Sequence, residues 1–179
     1  MMLRIDHRES NDIDIFLPDP QLLQFLDPQK RDFQFEIQPD DYRSDGARSL
    51  KLAFNDVGQI DFIVAGSLTA SPATEAKVDG RIVLLETIPE IITKKIYHRA
   101  SSIQSRHVFD IAAAAEQHAE LLIESLRTYP GRAKQALATI NRLNPDFVEH
   151  AIQQLAIKDK YKDVAKSAIE KAEEILRAV

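Results

Sequence analysis

The sequence predicts an α+β fold: a mixed-sheet N-terminal half and a helical C-terminal half. Two observations carry that reading. Short apolar runs and strict alternation, broken by polar turns, fill the chain as far as residue 86. From Thr87 onward the apolar residues recur with helical spacing. The boundary is set at 86, with an α+β core over 1–86 and a helical region over 87–179.

The elements follow in order. "IDIFL" reads as a short strand, ended by Pro18 and Pro20, with a helical turn or two over "QLLQFL". "DFQFEIQ" (32–38) alternates Phe33, Phe35 and Ile37 with Gln34, Glu36 and Gln38, the pattern of a half-buried strand. Residues 39–49 form a polar loop with Asp45-Gly46 as its turn signal. "LKLAF" (50–54) and "QIDFIVAG" (59–66) form a hairpin joined at Gly58. Residues 67–80 are small and polar and are expected to be loop. "RIVLLE" (81–86) is a last strand. Thr87, Pro89 and Glu90 then make a capping-box start with proline in the first turn. Helices are expected over 88–99, 106–127, 132–142, 145–157 and 159–178. The last carries the apolar stripe Val164, Ala168, Ile169, Ala172, Ile175 and Leu176.

Composition narrows the function classes. The 179 residues carry a net charge of −5, so no broad basic surface invites nucleic acid. There is no cysteine, which excludes disulfides, thiolate metal sites and a thiol nucleophile. The N-terminus is polar and no apolar run approaches the roughly 18 residues of a membrane helix. A soluble cytoplasmic protein is expected. The five histidines, His7, His98, His107, His118 and His150, show no His-Glu-x-x-His spacing. There is no Gly-x-Ser-x-Gly elbow and no Walker-type loop. His98 and His107 read as ordinary surface or partly buried side chains.

Three aspartates stand out. Asp12 and Asp14 alternate with Ile13 and Ile15, so on a strand both carboxylates share one face. Asp61 sits between Ile60 and Phe62 in a second apolar strand. An isolated carboxylate is costly to bury, and three of them on strands that can pair suit a divalent cation such as Mg²⁺, which takes oxygen ligands. On that reading Asp12 and Asp14 share the metal ions, Asp61 serves the attacking oxygen, and the chemistry is in-line phosphoryl or nucleotidyl transfer. An Asp-x-Asp pair at a strand end also fits a turn cap or a solvent-facing position.

"HRESNDIDIF" followed by "QIDFIV" resembles the nucleotidyltransferase fold of the polymerase-beta type, in which two acids on one strand and a third on a neighbour bind the metals. Residues 86–116 narrow the resemblance to the AbiEii/AbiGii-type nucleotidyltransferase toxins of bacterial abortive-infection and toxin–antitoxin systems. Those proteins commonly have a Lys-Leu helix, an arginine and then an Arg-Asp-Leu-Phe-Asp-Leu segment. Here Lys95-Ile96, Arg99, and Arg106 with Asp110 occupy those places. The resemblance spans residues 3–116.

The resemblance implies roles. Asp12, Asp14 and Asp61 would bind Mg²⁺ or Mn²⁺. Arg8 and Ser10 match an "R-x-S" ahead of the acids and would contact nucleotide. Lys95 would sit near the triphosphate, Asp61 would help activate the acceptor, and Asp110 would orient the site. The implied partners are an NTP, a tRNA or protein acceptor, and a cognate antitoxin. Lys94 and Lys95 also fit a solvated helix face, and Arg106 and Asp110, four apart, fit a surface ion pair.

Two positions depart from the pattern. The family's Gly-Gly or Gly-Ser motif, expected one short helix ahead of the first acids, is absent from a sequence beginning "MMLRID", as though the chain starts just inside the domain. His107 stands where an acid usually follows the arginine. The alternative is therefore a catalytically inactive, shortened relative that acts as an interaction module through its C-terminal helices. A metal-dependent phosphodiesterase using the same acids is a third reading.

Overall fold

Strands come before helices along most of the chain, as expected of this α+β sequence. The computed structural model describes residues 1–179. The order is α1 (Met2–Ile5), β1 (Asp12–Leu17), α2 (Leu23–Leu26), β2 (Asp41–Ser44), β3 (Ser49–Phe54), β4 (Gly58–Val64), β5 (Ala73–Val78) and β6 (Arg81–Glu86). Then come α3 (Ile88–Arg99), α4 (Ser105–Leu126), α5 (Pro130–Ile140), α6 (Pro145–Gln153), α7 (Lys162–Lys166) and α8 (Ala168–Arg177). Contacts divide the chain into two compact units: Ser10–Gly66, and Met1–Glu9 with Ser67–Val179. The change of sequence character at Thr87 is thus not where the compact units part, because β5 and β6 belong with the helices.

The smaller unit is a four-stranded mixed sheet in the order β1-β4-β3-β2. β1 runs parallel to β4, and the other pairs are antiparallel. Side chains alternate across it, which gives the sheet two unlike faces. Leu17, Leu50 and Leu52 are buried with Leu23 of α2, and Tyr42, Phe54, Phe62 and Val64 pack against them. The opposite face carries Asp12, Asp14, Asp61, Lys51 and Arg43.

Local chemistry fixes the turns. The Asp45 carboxylate accepts from the backbone N–H groups of Ala47, Arg48 and Ser49 at 3.0, 2.7 and 2.9 Å. Those bonds hold its pKa well below the usual carboxylate range. The β3–β4 turn needs glycine at its end. Gly58 has φ 143°, and a Cβ there would lie 2.1 Å from the Asn11 carbonyl oxygen.

Two expectations fail in this unit. Residues 32–38 form no strand: Phe35 packs on the apolar cluster, while Phe33 and Ile37 are exposed. Alternation supplies a face but not a ladder partner, and the edge of β3 is taken by 41–44. That segment was expected to be loop. Tyr42 anchors it instead, donating to Asp27 Oδ1 at 2.9 Å.

The larger unit is built on α4, which packs against α3 and α8. Val108, Phe109, Ile111, Ala112, Ala113, Ala114 and Leu122 are buried along it. The small side chains of the alanine run bring neighbouring helices close. The expected stripe Val164, Ala168, Ala172, Ile175 and Leu176 is buried in the same core, with Ile169 packed against it. The apolar stripe of the last helices is therefore intramolecular core.

Element details correct four further expectations. Residues 73–78, expected to be loop, are β5, paired antiparallel with β6 through an Asp79-Gly80 turn with φ 47° and 79°. The helix expected over 159–178 is a 3-10 turn (Asp159–Tyr161), then α7, then α8, interrupted at Ser167 (φ −120°, ψ 27°). The capping box at Thr87 is half made. Its hydroxyl accepts from Glu90 N–H at 3.4 Å, but the Glu90 carboxylate turns away to take Leu68 N–H, Thr69 N–H and the Thr69 hydroxyl. Buried Lys94 balances Glu90 at 3.4 Å and Glu86 at 2.5 Å, so Lys94 is no part of a solvated face.

Candidate functional site

The predicted site residues fall into two groups, one in each compact unit. In the smaller unit the register decides which acids meet. Asp14 and Asp61 are direct partners across the parallel β1–β4 pair, and Asp12 faces Gln59 one step along the same side. All three carboxylates therefore project from one face of the sheet. β1 is an edge strand, and Asp12 and Asp14 are exposed. Asp61 is half-buried. Burial raises its pKa, with repulsion from Asp14 and Asp12 adding and Lys51 opposing.

Asp61 already has partners. Lys51 Nζ lies 3.5 Å from its Oδ1, and Gln59 Nε2 donates to its Oδ2 at 3.1 Å. Lys51 also donates to Gln59 Oε1 at 3.2 Å, which closes a triangle. The three acids offer only hard oxygen donors, the donor set Mg²⁺ prefers. Three acidic or histidine side chains do not converge into a ready cage. Asp12 and Asp14 are open to solvent, whereas Asp61 would have to give up Lys51 and Gln59 to reach a cation.

In the larger unit the sequence-predicted Arg8, Lys95 and Asp110 come together. Asp110, on α4, is 0% exposed. Arg8 Nε donates to its Oδ1 at 3.0 Å and Arg8 Nη2 to its Oδ2 at 3.4 Å. Lys95, on α3, donates to Oδ2. His7 completes the set, with Nε2 2.8 Å from Oδ1. An ionised carboxylate only accepts, so His7 carries its proton on Nε2. Burial opposes ionisation of Asp110, but Lys95, His7 and Arg8 hold its pKa well below the ordinary range. Burial lowers the pKa of His7 despite Asp110. Its ring stacks on Phe109 at 5.7 Å and meets Tyr161 edge-on at 6.3 Å.

This arrangement replaces the expected surface pair. Arg106 is exposed and Asp110 is not, so the two do not form a surface ion pair. His107 is buried and works locally: its Nδ1 accepts the Gln104 N–H at 3.1 Å and closes a capping box at the start of α4. Burial, helped by nearby Lys95, lowers its pKa to about 4. Ser10 is half-buried and is not among the side chains gathered at Asp110. His7, Lys51 and Gln59 were missed by the sequence reading. Gln59 was legible in principle, two residues from Asp61 on one strand, and Lys51 as the polar residue alternating with Leu50 and Leu52. His7 offered no spacing signal; only the fold brings it to a residue 103 positions away.

Comparison with known proteins gives one family and one structure. The sequence model of a family described as "Nucleotidyl transferase AbiEii toxin, Type IV TA system" matches residues 1–177. No curated protein matches the chain. Among solved structures, a candidate nucleotidyltransferase from H. pylori is similar at 14% identity and a TM-score of 0.48, covering 95% of this chain and 77% of that one. No helix is long and apolar enough to cross a membrane.

Proposed function

The chain belongs to the AbiEii nucleotidyltransferase toxin family, and on that footing we propose that it moves a nucleoside monophosphate from an NTP to a hydroxyl of a tRNA or a protein. One observation supports this most: the register of β1 on β4, which sets Asp12, Asp14 and Asp61 on one open face. Asp12 and Asp14 would hold Mg²⁺ or Mn²⁺, and Asp61 is the third ligand. The ion supplies charge neutralisation on the triphosphate and acidifies the attacking hydroxyl.

The chain's own residues would do the rest. Asp61, the half-buried member of the trio and the direct cross-strand partner of Asp14, would take the proton of the acceptor hydroxyl. The acceptor oxygen forms a bond to the α-phosphorus as the bond to the bridging oxygen breaks, and pyrophosphate leaves. In the larger unit Asp110 holds Arg8 and Lys95, and its ionised carboxylate keeps both cationic groups in place. A cognate antitoxin is the expected protein partner, from the family's description as part of a toxin–antitoxin system.

Incubation with each α-labelled NTP, Mg²⁺ and total tRNA or cell protein tests the reading. Label transfer is expected with the unaltered chain and is expected to fall at least 100-fold in Asp14→Asn. Hydrolysis of the NTP without label on any acceptor would instead support a phosphodiesterase and overturn transfer.

A further inference from the structure

The polar face of the four-stranded sheet carries more than three acids. Asp14 on β1 pairs with Asp61 on β4, Asp61 with Lys51 on β3, and Lys51 with Arg43 on β2. One row of side chains thus crosses all four strands, and its charge changes sign between β4 and β3. With strands about 4.8 Å apart, the basic half begins one strand spacing from Asp61 and ends two spacings away. An open depression lies over this half, lined by Arg43, Ser44, Asp45, Ser49, Lys51 and Asp61.

Resting on the transferase reading above, we propose that Lys51 and Arg43 bind the polyphosphate tail of the nucleotide. The charges of the depression support an anion in this half. Asp45 is spent on its own turn, accepting from three backbone N–H groups and the Ser49 hydroxyl. Asp61 is the acid that would turn to a cation, and Lys51 Nζ, now 3.5 Å from it, is then released toward phosphate. Arg43 is exposed and holds Asp41 through Nε alone, at 2.9 Å, which leaves its two terminal nitrogens to donate. Acids at one end of the row and bases at the other set a direction: reacting phosphorus over β1 and β4, leaving phosphates over β3 and β2.

Titration of the full chain with inorganic tripolyphosphate, without metal, tests this, followed by ¹H–¹⁵N spectra at residues 43 and 51. Those amides are expected to shift. Lys51→Gln is expected to weaken binding at least tenfold, Lys51→Arg to restore it, and Asp61→Asn to tighten it at least threefold by freeing Lys51. Unchanged affinity in both Lys51→Gln and Arg43→Gln overturns the proposal. So does an absence of binding in both the unaltered chain and Asp61→Asn. A response of these amides to an oligoribonucleotide but not to tripolyphosphate also overturns it, because the ligand would then be a nucleic-acid backbone. Lys51-dependent tripolyphosphate binding in a chain that transfers no nucleotide supports this site and sinks only the transfer reading. Transfer with an unaltered KM for NTP in Lys51→Gln sinks only this site.

Discussion

Asp110 has three nitrogen-bearing partners and is fully buried. A lone carboxylate there would be costly; with His7, Arg8 and Lys95 in place it stays ionised and fixes all three. Removing its charge leaves Arg8 and Lys95 facing each other around an amide. Asp110→Asn is expected to destabilise the larger unit by about 3 kcal/mol at pH 7, read from the urea midpoint. The sign with pH follows from the depressed pKa in the folded state. The stabilisation is fully present above the unfolded value near pH 4 and is lost as pH falls through the lower folded value. The gap between Asp110→Asn and the unaltered chain should therefore close in acid. A gap that stays constant from pH 7 to pH 2.5 would contradict an ionised Asp110.

Strands and turns set the acid face, and one glycine holds its register. Gly58 combines a φ open to glycine with an Asn11 carbonyl oxygen where a side chain would begin. Gly58→Ala is expected to cost the smaller unit about 2 kcal/mol or more, through backbone strain and displacement of the chain entering β1. Hydrogen exchange should speed up at β1 and β4 amides. Gly66→Ala, with nothing within 4 Å, is expected to change stability by less than about 0.5 kcal/mol. Equal effects at both glycines would show that the β1–β4 register does not depend on this contact. Elements were unevenly legible in the sequence. β3, β4, β6 and α3 announced themselves by alternation, a turn glycine or a capped start. β5 was missed because its exposed face is polar and reads like loop, although Asp79-Gly80 marked its turn. Residues 32–38 had a strand's alternation but pair with no strand of the sheet, and no single-segment pattern records that.

At the scale of the whole chain, the α+β class and the acid trio were readable because each rests on local periodicity. The compact units were not. Residues 1–9 and 67–179 fold as one unit across 57 intervening positions, which only tertiary contacts decide. The same holds for Asp110: its position was legible from a family pattern, but its burial and its bond to His7 were not. The direction of charge across the sheet needed strand order as well, since Arg43, Lys51, Asp61 and Asp14 are scattered along the sequence and meet only through pairing.

The proposed transfer depends on Asp12, Asp14 and Asp61 forming a metal–nucleotide site on the open face of the sheet. Calorimetric titration of each NTP into the full chain, with and without Mg²⁺, and into Asp14→Asn, tests it most directly. Binding of at least one NTP is expected to require Mg²⁺ and to weaken at least tenfold in Asp14→Asn. NTP binding of equal strength without Mg²⁺, or unaffected by Asp14→Asn in a folded chain, would contradict it.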